Sequence, residues 1–142
     1  MSDAPERTRP GRAQLRAFRR PRLWLAVGAI GVLLVIGVSL LPARDLPPAP
    51  FSGFDKLGHC LAYAALSAYG GMLFVRMRAQ LRTAAGLVAL GIGLEYAQAM
   101  LTDSRMGDLG DAVANTLGVL IGVMSASTPL ARWLLRLDAR LP

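Results

Sequence analysis

The chain has 142 residues, of which 54% are hydrophobic and 18% are charged, and its formal net charge at pH 7 is +7. Its length allows one domain, and its single cysteine excludes an internal disulfide. A mean hydropathy of +0.42 with few aromatic residues is typical of a small membrane protein rather than of a soluble domain.

The first 22 residues are rich in arginine and proline and are predicted to form a disordered basic arm in the cytoplasm. The partner of this arm would be the anionic inner leaflet of the bilayer. Residues 23–41 then contain no charge and approach the roughly 20 apolar residues that a membrane-spanning helix needs. This segment is longer than the ~7–15-residue apolar core of a secretory signal, so we predict a retained helix.

Three further apolar segments follow, at about residues 57–75, 83–101 and 109–128. Each has polar groups near one end and is rich in Gly and Ala, which allow helices to approach closely. Gly118 and Gly122 form a GxxxG step, which is either a helix contact or a chance pair in a helix of small residues. The predicted fold is an all-α polytopic bundle of four transmembrane helices.

The distribution of arginine supports this topology, because positively charged flanks stay in the cytoplasm. With four spans, the transmembrane domain covers residues 23–128, both termini are cytoplasmic, and only Arg44, Lys56 and Arg105 face outward. Topology explains the basic charge, so no nucleic-acid partner is predicted. The arginines on the cytoplasmic side are Arg7, Arg9, Arg12, Arg16, Arg19, Arg20, Arg22, Arg76, Arg78, Arg82, Arg132, Arg136 and Arg140.

Residues 129–142 follow the last span and combine basic and apolar side chains. Arg132, Arg136 and Arg140 recur at every fourth position, while Trp133 and the leucines between them are apolar. This spacing predicts a short cytoplasmic helix that lies in the membrane interface. The alternative is a frayed continuation of the fourth span.

Polar side chains recur at helical spacing on the predicted outward side of three spans. In the second span, Lys56, His59 and Tyr63 share one face, and Asp55 precedes His59 by about one turn. A charge at the centre of a span costs about 2.5–3.5 kcal/mol, so such groups face a bundle interior and find partners. We therefore predict one cluster that opens outward. Its other members are Glu95 and Gln98 in the third span, Asp108, Asp111 and Asn115 at the fourth, and Arg105 just before it.

Several of these residues also have a structural interpretation. Ser52 and Asp55 resemble a capping box at the start of a helix. Asp108 or Asp111 could be the N-cap of the fourth helix, and His59 could be a hydrogen-bonded structural histidine. The whole set could be a structural network, since polar contacts join helices in membranes.

Glu95 differs from the others because it lies well inside its span, where no helix cap needs it; its predicted ion partner is Lys56 or Arg105. His59, Glu95 and Asp111 carry N and O donors suited to a metal. A chain with one histidine nevertheless favours neither a metal nor a cofactor. Cys60 adjoins His59 and so points to another helix face, which argues against a thiol nucleophile.

Three segments, "DKLGHCLAY" (55–63), "EYAQ" (95–98) and "RMGDLGDAVANTLGVLIG" (105–122), together resemble the VanZ-like membrane protein family. The resemblance covers about half of the chain and implies a small multi-pass protein of the bacterial cytoplasmic membrane. The family is named for low-level resistance to the glycopeptide antibiotic teicoplanin, and that name supplies no reaction. The chain departs from the family's pattern at Cys60, where an aromatic residue is expected.

The polar cluster suggests a role in the cell envelope, and whether the chain is an enzyme stays open. In one hypothesis, the cluster binds or modifies a lipid-linked or cell-wall precursor, with His59, Glu95 and Asp111 as the proton-transfer residues. In the alternative, the cluster is structural, and the protein is a non-enzymatic module that binds another membrane protein or its own copy. The substrate-binding residues in the first hypothesis are Asp55, Lys56, Tyr63, Gln98, Arg105, Asp108 and Asn115.

Overall fold

The computed structural model describes residues 15–42, 45–101 and 108–142, with only the backbone of Leu101. Within these ranges the elements are helical, and a single isolated β-bridge joins Leu15 to Phe74. The all-α prediction is therefore confirmed. The helices are α1 (Pro21–Ser39), α2 (Phe54–Leu73), α3 (Met77–Leu101), α4 (Leu109–Ser125), a 3-10 turn (Pro129–Arg132) and α5 (Trp133–Arg140).

The helix ends follow local backbone chemistry. α1 starts at a proline, whose fixed φ and missing N–H suit a first helical position. α2 starts after Gly53, which has a φ of 85° and forms no side-chain cap, so the predicted capping box of Ser52 and Asp55 is not formed. The Asp108 carboxylate accepts a hydrogen bond from Gly110 N at 2.7 Å, which confirms the N-cap interpretation for this residue.

The helix directions alternate along the chain, so that α2 and α4 run parallel to each other. Gln98 Nε2 donates to Ser39 O at 2.6 Å and joins the C-terminal ends of α1 and α3. Lys56 Nζ donates to Asp111 Oδ1 at 3.1 Å and joins the N-terminal ends of α2 and α4. These four helix ends meet at one end of the bundle, which we call the cluster end.

The closest packing lies between α2 and α4, at the GxxxG step. A Cβ placed on Gly118 would lie 2.2 Å from Cys60 O, and one placed on Gly122 would lie 2.6 Å from Ala64 O. Ser67 Oγ also donates to Val119 O at 2.8 Å across this contact. The GxxxG step is therefore a helix contact in which only glycine fits.

The opposite end of the bundle joins the two termini of the described chain. Asp138 Oδ1 accepts from Trp24 Nε1 at 2.8 Å, and Asp138 Oδ2 accepts from the Arg19 backbone N–H at 2.5 Å. Phe18, Trp24 and Leu134 pack into one apolar cluster there. Residues 15–22 are thus ordered, contrary to the prediction of one disordered arm over residues 1–22, because α5 supplies partners that are distant in sequence.

Burial of Asp138 opposes its ionisation. The hydrogen bonds from Trp24 and from the Arg19 and Arg20 backbone amides outweigh this effect and lower the pKa of its carboxyl group. The carboxylate therefore remains charged at neutral pH and holds α5 against α1.

Hydropathy separates α1 from the other helices. Among the described residues, α1 alone is long and apolar enough to cross a membrane as a single helix. α4 meets the same criterion only together with Pro129–Arg140, across a bend of 75°. Composition thus supports one or two crossings, fewer than the four predicted.

We expect Gly118→Ala to weaken the bundle, because the added methyl group clashes with the backbone of Cys60, which has no side-chain freedom to move away. Overpacking of this kind destabilises by about 1–3 kcal/mol. Thermal unfolding of the purified protein in detergent measures the effect. Gly93→Ala is the matched control: its Cβ meets nothing within 4 Å, and it should stabilise by up to about 1 kcal/mol. Equal melting temperatures for the two variants would contradict the contact.

Candidate functional site

Lys56 forms the outermost layer of the cluster end. Its Nζ donates to Asp111 Oδ1 at 3.1 Å and also pairs with Asp108. The hydrogen bond from Lys56 lowers the pKa of Asp108. The Lys56 and Asp108 side chains are 42% and 50% exposed, so water screens their attraction and the pair adds little stability.

His59 lies behind this layer, one turn further along α2. Its Nδ1 is 3.1 Å from Asn115 Oδ1, and an amide oxygen can only accept, so Nδ1 carries the proton in this contact. His59 Nε2 then presents a lone pair and lies 3.9 Å from Asp111 Oδ2. This distance is too long for a hydrogen bond.

Glu95 reaches the same place from α3 and is only 8% exposed. Its Oε2 accepts a hydrogen bond from Asp108 N at 3.1 Å. Its Oε1 is buried and has no hydrogen-bond partner among the described residues. Lys56 pairs with the aspartates of α4 rather than with Glu95. Arg105, the other partner predicted for Glu95, lies outside the described residues.

Three other residues predicted for the site, Tyr63, Gln98 and Asp55, make none of these contacts with Lys56, His59 or Glu95. Tyr63 is 1% exposed. Its ring and Asn115 both pack against Gly91: a Cβ added to this glycine would lie 3.3 Å from Tyr63 Cε1 and 3.1 Å from Asn115 Cβ. Gln98 is buried and bonds to the backbone of α1. Asp55 is exposed at the start of α2. The structure thus gathers six predicted residues at one site: Lys56, His59, Glu95, Asp108, Asp111 and Asn115.

A cavity of about 610 Å³ opens between α3 and α4 and reaches the cluster. Glu95 and Asp108 line one part of it, and nearly all of the remaining wall is apolar. This groove was not predicted from the sequence, although its residues recur at three- and four-residue steps along both helices. Its other lining residues are Ile92, Tyr96, Ala99, Leu109, Ala112, Val113, Thr116 and Leu117.

Three residues of the cluster have the donor atoms of a metal site. His59, Glu95 and Asp111 each offer one ligand atom, and these atoms all lie within 4.8 Å of one another. Cys60 is partly buried, and its backbone carbonyl packs against Gly118.

Comparisons of the chain with protein-family models, with curated proteins and with solved structures gave no match.

We expect neutral His59 to carry its proton on Nδ1, because Asn115 Oδ1 accepts a hydrogen bond there. A net hydrogen bond of about 1 kcal/mol biases the tautomers about fivefold. The chain has a single histidine, so ¹⁵N NMR of the labelled ring reads this ratio without overlap. Asn115→Ala should remove the bias. Thr116→Val is the control, since the Thr116 hydroxyl bonds to its own helix at Ala112 O. An Nε2-protonated ring in the wild type would refute the assignment.

Proposed function

We propose that the chain is a VanZ-like protein of the bacterial cytoplasmic membrane that crosses the bilayer four times, with both termini inside. α1 to α4 have 19, 20, 25 and 17 residues. At 1.5 Å per residue these helices are about 26–38 Å long, close to the ~30 Å hydrocarbon core of a bilayer. Four spans are therefore compatible with the lengths, even though α2 and α3 have lower hydropathy than α1.

The surface of the bundle supports this topology. Large apolar side chains are exposed along all four helices, for example Leu34 on α1, Leu61 on α2, Ile92 on α3 and Ile121 on α4. Lipid would cover these side chains, since soluble monomers rarely expose large contiguous apolar patches. The arginines of α5 lie at the end opposite the cluster, so the positive-inside rule turns the cluster outward.

We expect single cysteines to report this orientation in intact cells. In a Cys60→Ser background, Asp45→Cys should react with a membrane-impermeant maleimide, because its loop would face outward. Arg78→Cys, in the first turn of α3 at the opposite end of the bundle, should react only after the membrane is permeabilised. Labelling of both positions in intact cells, or of Arg78→Cys alone, would rule out the proposed topology.

The proposed activity is to bind, and where chemistry follows to modify, a lipid-linked or cell-wall precursor at the outer leaflet. The observation that carries this proposal is the continuity of the apolar groove with the polar cluster through Glu95 and Asp108. An amphiphile needs both surfaces side by side: an apolar wall for its chain and polar groups for its headgroup.

The geometry also suits a proton transfer. His59 Nε2 presents a lone pair, and Asn115 fixes the ring from the other side, so the imidazole is oriented as a general base. Asp111 lies on the Nε2 side of the ring, where its charge would stabilise an imidazolium. These positions support the proposed catalytic roles of His59, Glu95 and Asp111.

We expect a lipid-linked precursor to copurify with the wild-type protein in mild detergent, where mass spectrometry of the extracted lipids identifies it. Ala99→Trp should reduce its yield about tenfold, corresponding to about 1.4 kcal/mol, because the indole fills the groove. Ala89→Trp is the matched control, since Ala89 is exposed on the same helix outside the groove.

Cells with and without the protein should also differ in the amount of the same precursor. No enriched precursor, together with equal lipid yields from Ala99→Trp and Ala89→Trp, would favour the alternative of a non-enzymatic module. The specific observation behind that alternative is that Lys56 joins α2 to α4 by pairing with two aspartates.

A further inference from the structure

The geometry points to a divalent transition-metal site at the cluster end, with His59, Glu95 and Asp111 as its protein ligands. From sequence alone, a single histidine argued against a metal. The three side chains come from three different helices, and their ligand atoms lie within 4.8 Å of one another. This inference does not depend on lipid binding, and it replaces the general-base role proposed for His59, because a metal bound to Nε2 occupies the lone pair that would accept a proton.

Each ligand has one atom held by a neighbour and one atom left free. His59 Nδ1 is held by Asn115, which leaves Nε2 with its lone pair. Asp111 Oδ1 accepts from Lys56, which leaves Oδ2 on the side of His59. Fixing one atom of a ligand by an outer hydrogen bond is how proteins orient metal ligands.

Glu95 follows the same pattern and supplies an independent observation. Its Oε2 is held by the Asp108 backbone N–H, and its Oε1 is buried without a partner among the described residues. Leaving a carboxylate oxygen unpaired at 8% exposure is unfavourable, because a buried charge needs a compensating charge or donor. A cation shared with His59 and Asp111 would provide it.

The local charge also favours a cation. Glu95, Asp108 and Asp111 bring three carboxylates together, and Lys56 is the one basic side chain paired with them among the described residues. Lys56 is already shared by Asp108 and Asp111, so its charge does not serve Glu95. A second positive charge would balance the cluster.

The distances suit a small ion after modest side-chain adjustment. His59 Nε2 and Asp111 Oδ2 are 3.9 Å apart. Two ligand atoms that each lie about 2.0–2.2 Å from zinc can be separated by at most about 4.4 Å. One imidazole and two carboxylates favour zinc or manganese over magnesium and calcium, which prefer oxygen alone.

Three protein ligands leave a coordination position for a substrate atom, as in catalytic zinc sites. Glu95 lines the groove, so such a position would be reached from the place proposed for the headgroup of an amphiphile. The chemical class of ligand that fits there is an oxyanion such as a phosphate or a carboxylate.

The experiment uses the full chain, purified in detergent, stripped with a chelator and titrated with Zn²⁺ and with Mn²⁺ by calorimetry and chelator competition. One ion per chain should bind, and magnesium should not displace it.

His59→Ala, Glu95→Gln and Asp111→Asn should each weaken binding more than tenfold, and circular dichroism should show that each variant remains helical. Asp45→Asn, which removes an acidic charge from a loop at the same end, should bind like the wild type.

A second variant gives a signature that a structural role for His59 would not produce. In a Cys60→Ser background, His59→Cys loaded with Co²⁺ should show thiolate-to-cobalt charge-transfer absorption, because the new thiol replaces an imidazole ligand. Ala99→Trp should retain metal binding, so that failure of the lipid proposal and failure of the metal proposal are distinguishable. No stoichiometric Zn²⁺ or Mn²⁺, unchanged affinity in all three ligand variants, or no charge-transfer band would each overturn the inference.

Discussion

The close contact of α2 and α4 at Gly118 and Gly122 is the constraint on which the site depends. Both helices start at the cluster end and run parallel, so their polar first turns lie side by side once the helices touch. The backbone approach fixes the register: Gly118 faces Cys60, and Asn115, three residues earlier on α4, meets His59. A larger residue at either glycine would separate the helices and lengthen every polar contact across them. Small residues far from the chemistry therefore set the distances within it.

Hydrogen bonds from neighbouring groups orient the polar side chains of the cluster. The neighbours that hold His59, Glu95 and Asp111 are Asn115, the Asp108 backbone N–H and Lys56. Each neighbour removes the freedom of one side chain and orients its remaining atom. Glu95 Oε2 accepts a hydrogen bond from the backbone N–H of Asp108, the N-cap residue of α4, so the N-terminus of that helix also stabilises negative charge here. These contacts leave one acceptor atom on each of His59, Asp111 and Glu95 without a hydrogen-bond donor among the described residues.

Much of this arrangement was predictable, and the limits have physical causes. Spacing of three and four residues predicts which side chains share a helix face, so His59, Glu95, Asp111 and Asn115 were found from sequence. Spacing within one helix cannot say which helices are neighbours, so the sequence offers Lys56 or Arg105 as the partner of Glu95, whereas Lys56 pairs with the aspartates of α4. The start of α2 was also misjudged, because Gly53 reaches a positive φ that the capping-box interpretation did not consider. The arginine- and proline-rich composition of residues 1–22 predicts disorder, and sequence does not reveal that residues 15–20 have partners on α5 about 120 residues away.

Charge balance connects the proposed headgroup site to the proposed ion. A phosphate or carboxylate that approached the cluster alone would meet three carboxylates and a lysine already shared by two of them. Like charges repel, so Lys56 alone is a poor explanation for binding an anion there. A divalent ion held by His59, Glu95 and Asp111 would reverse the sign of the local potential and present an open coordination position to an anionic group. The same carboxylates that repel a bare anion would then be the reason that it binds.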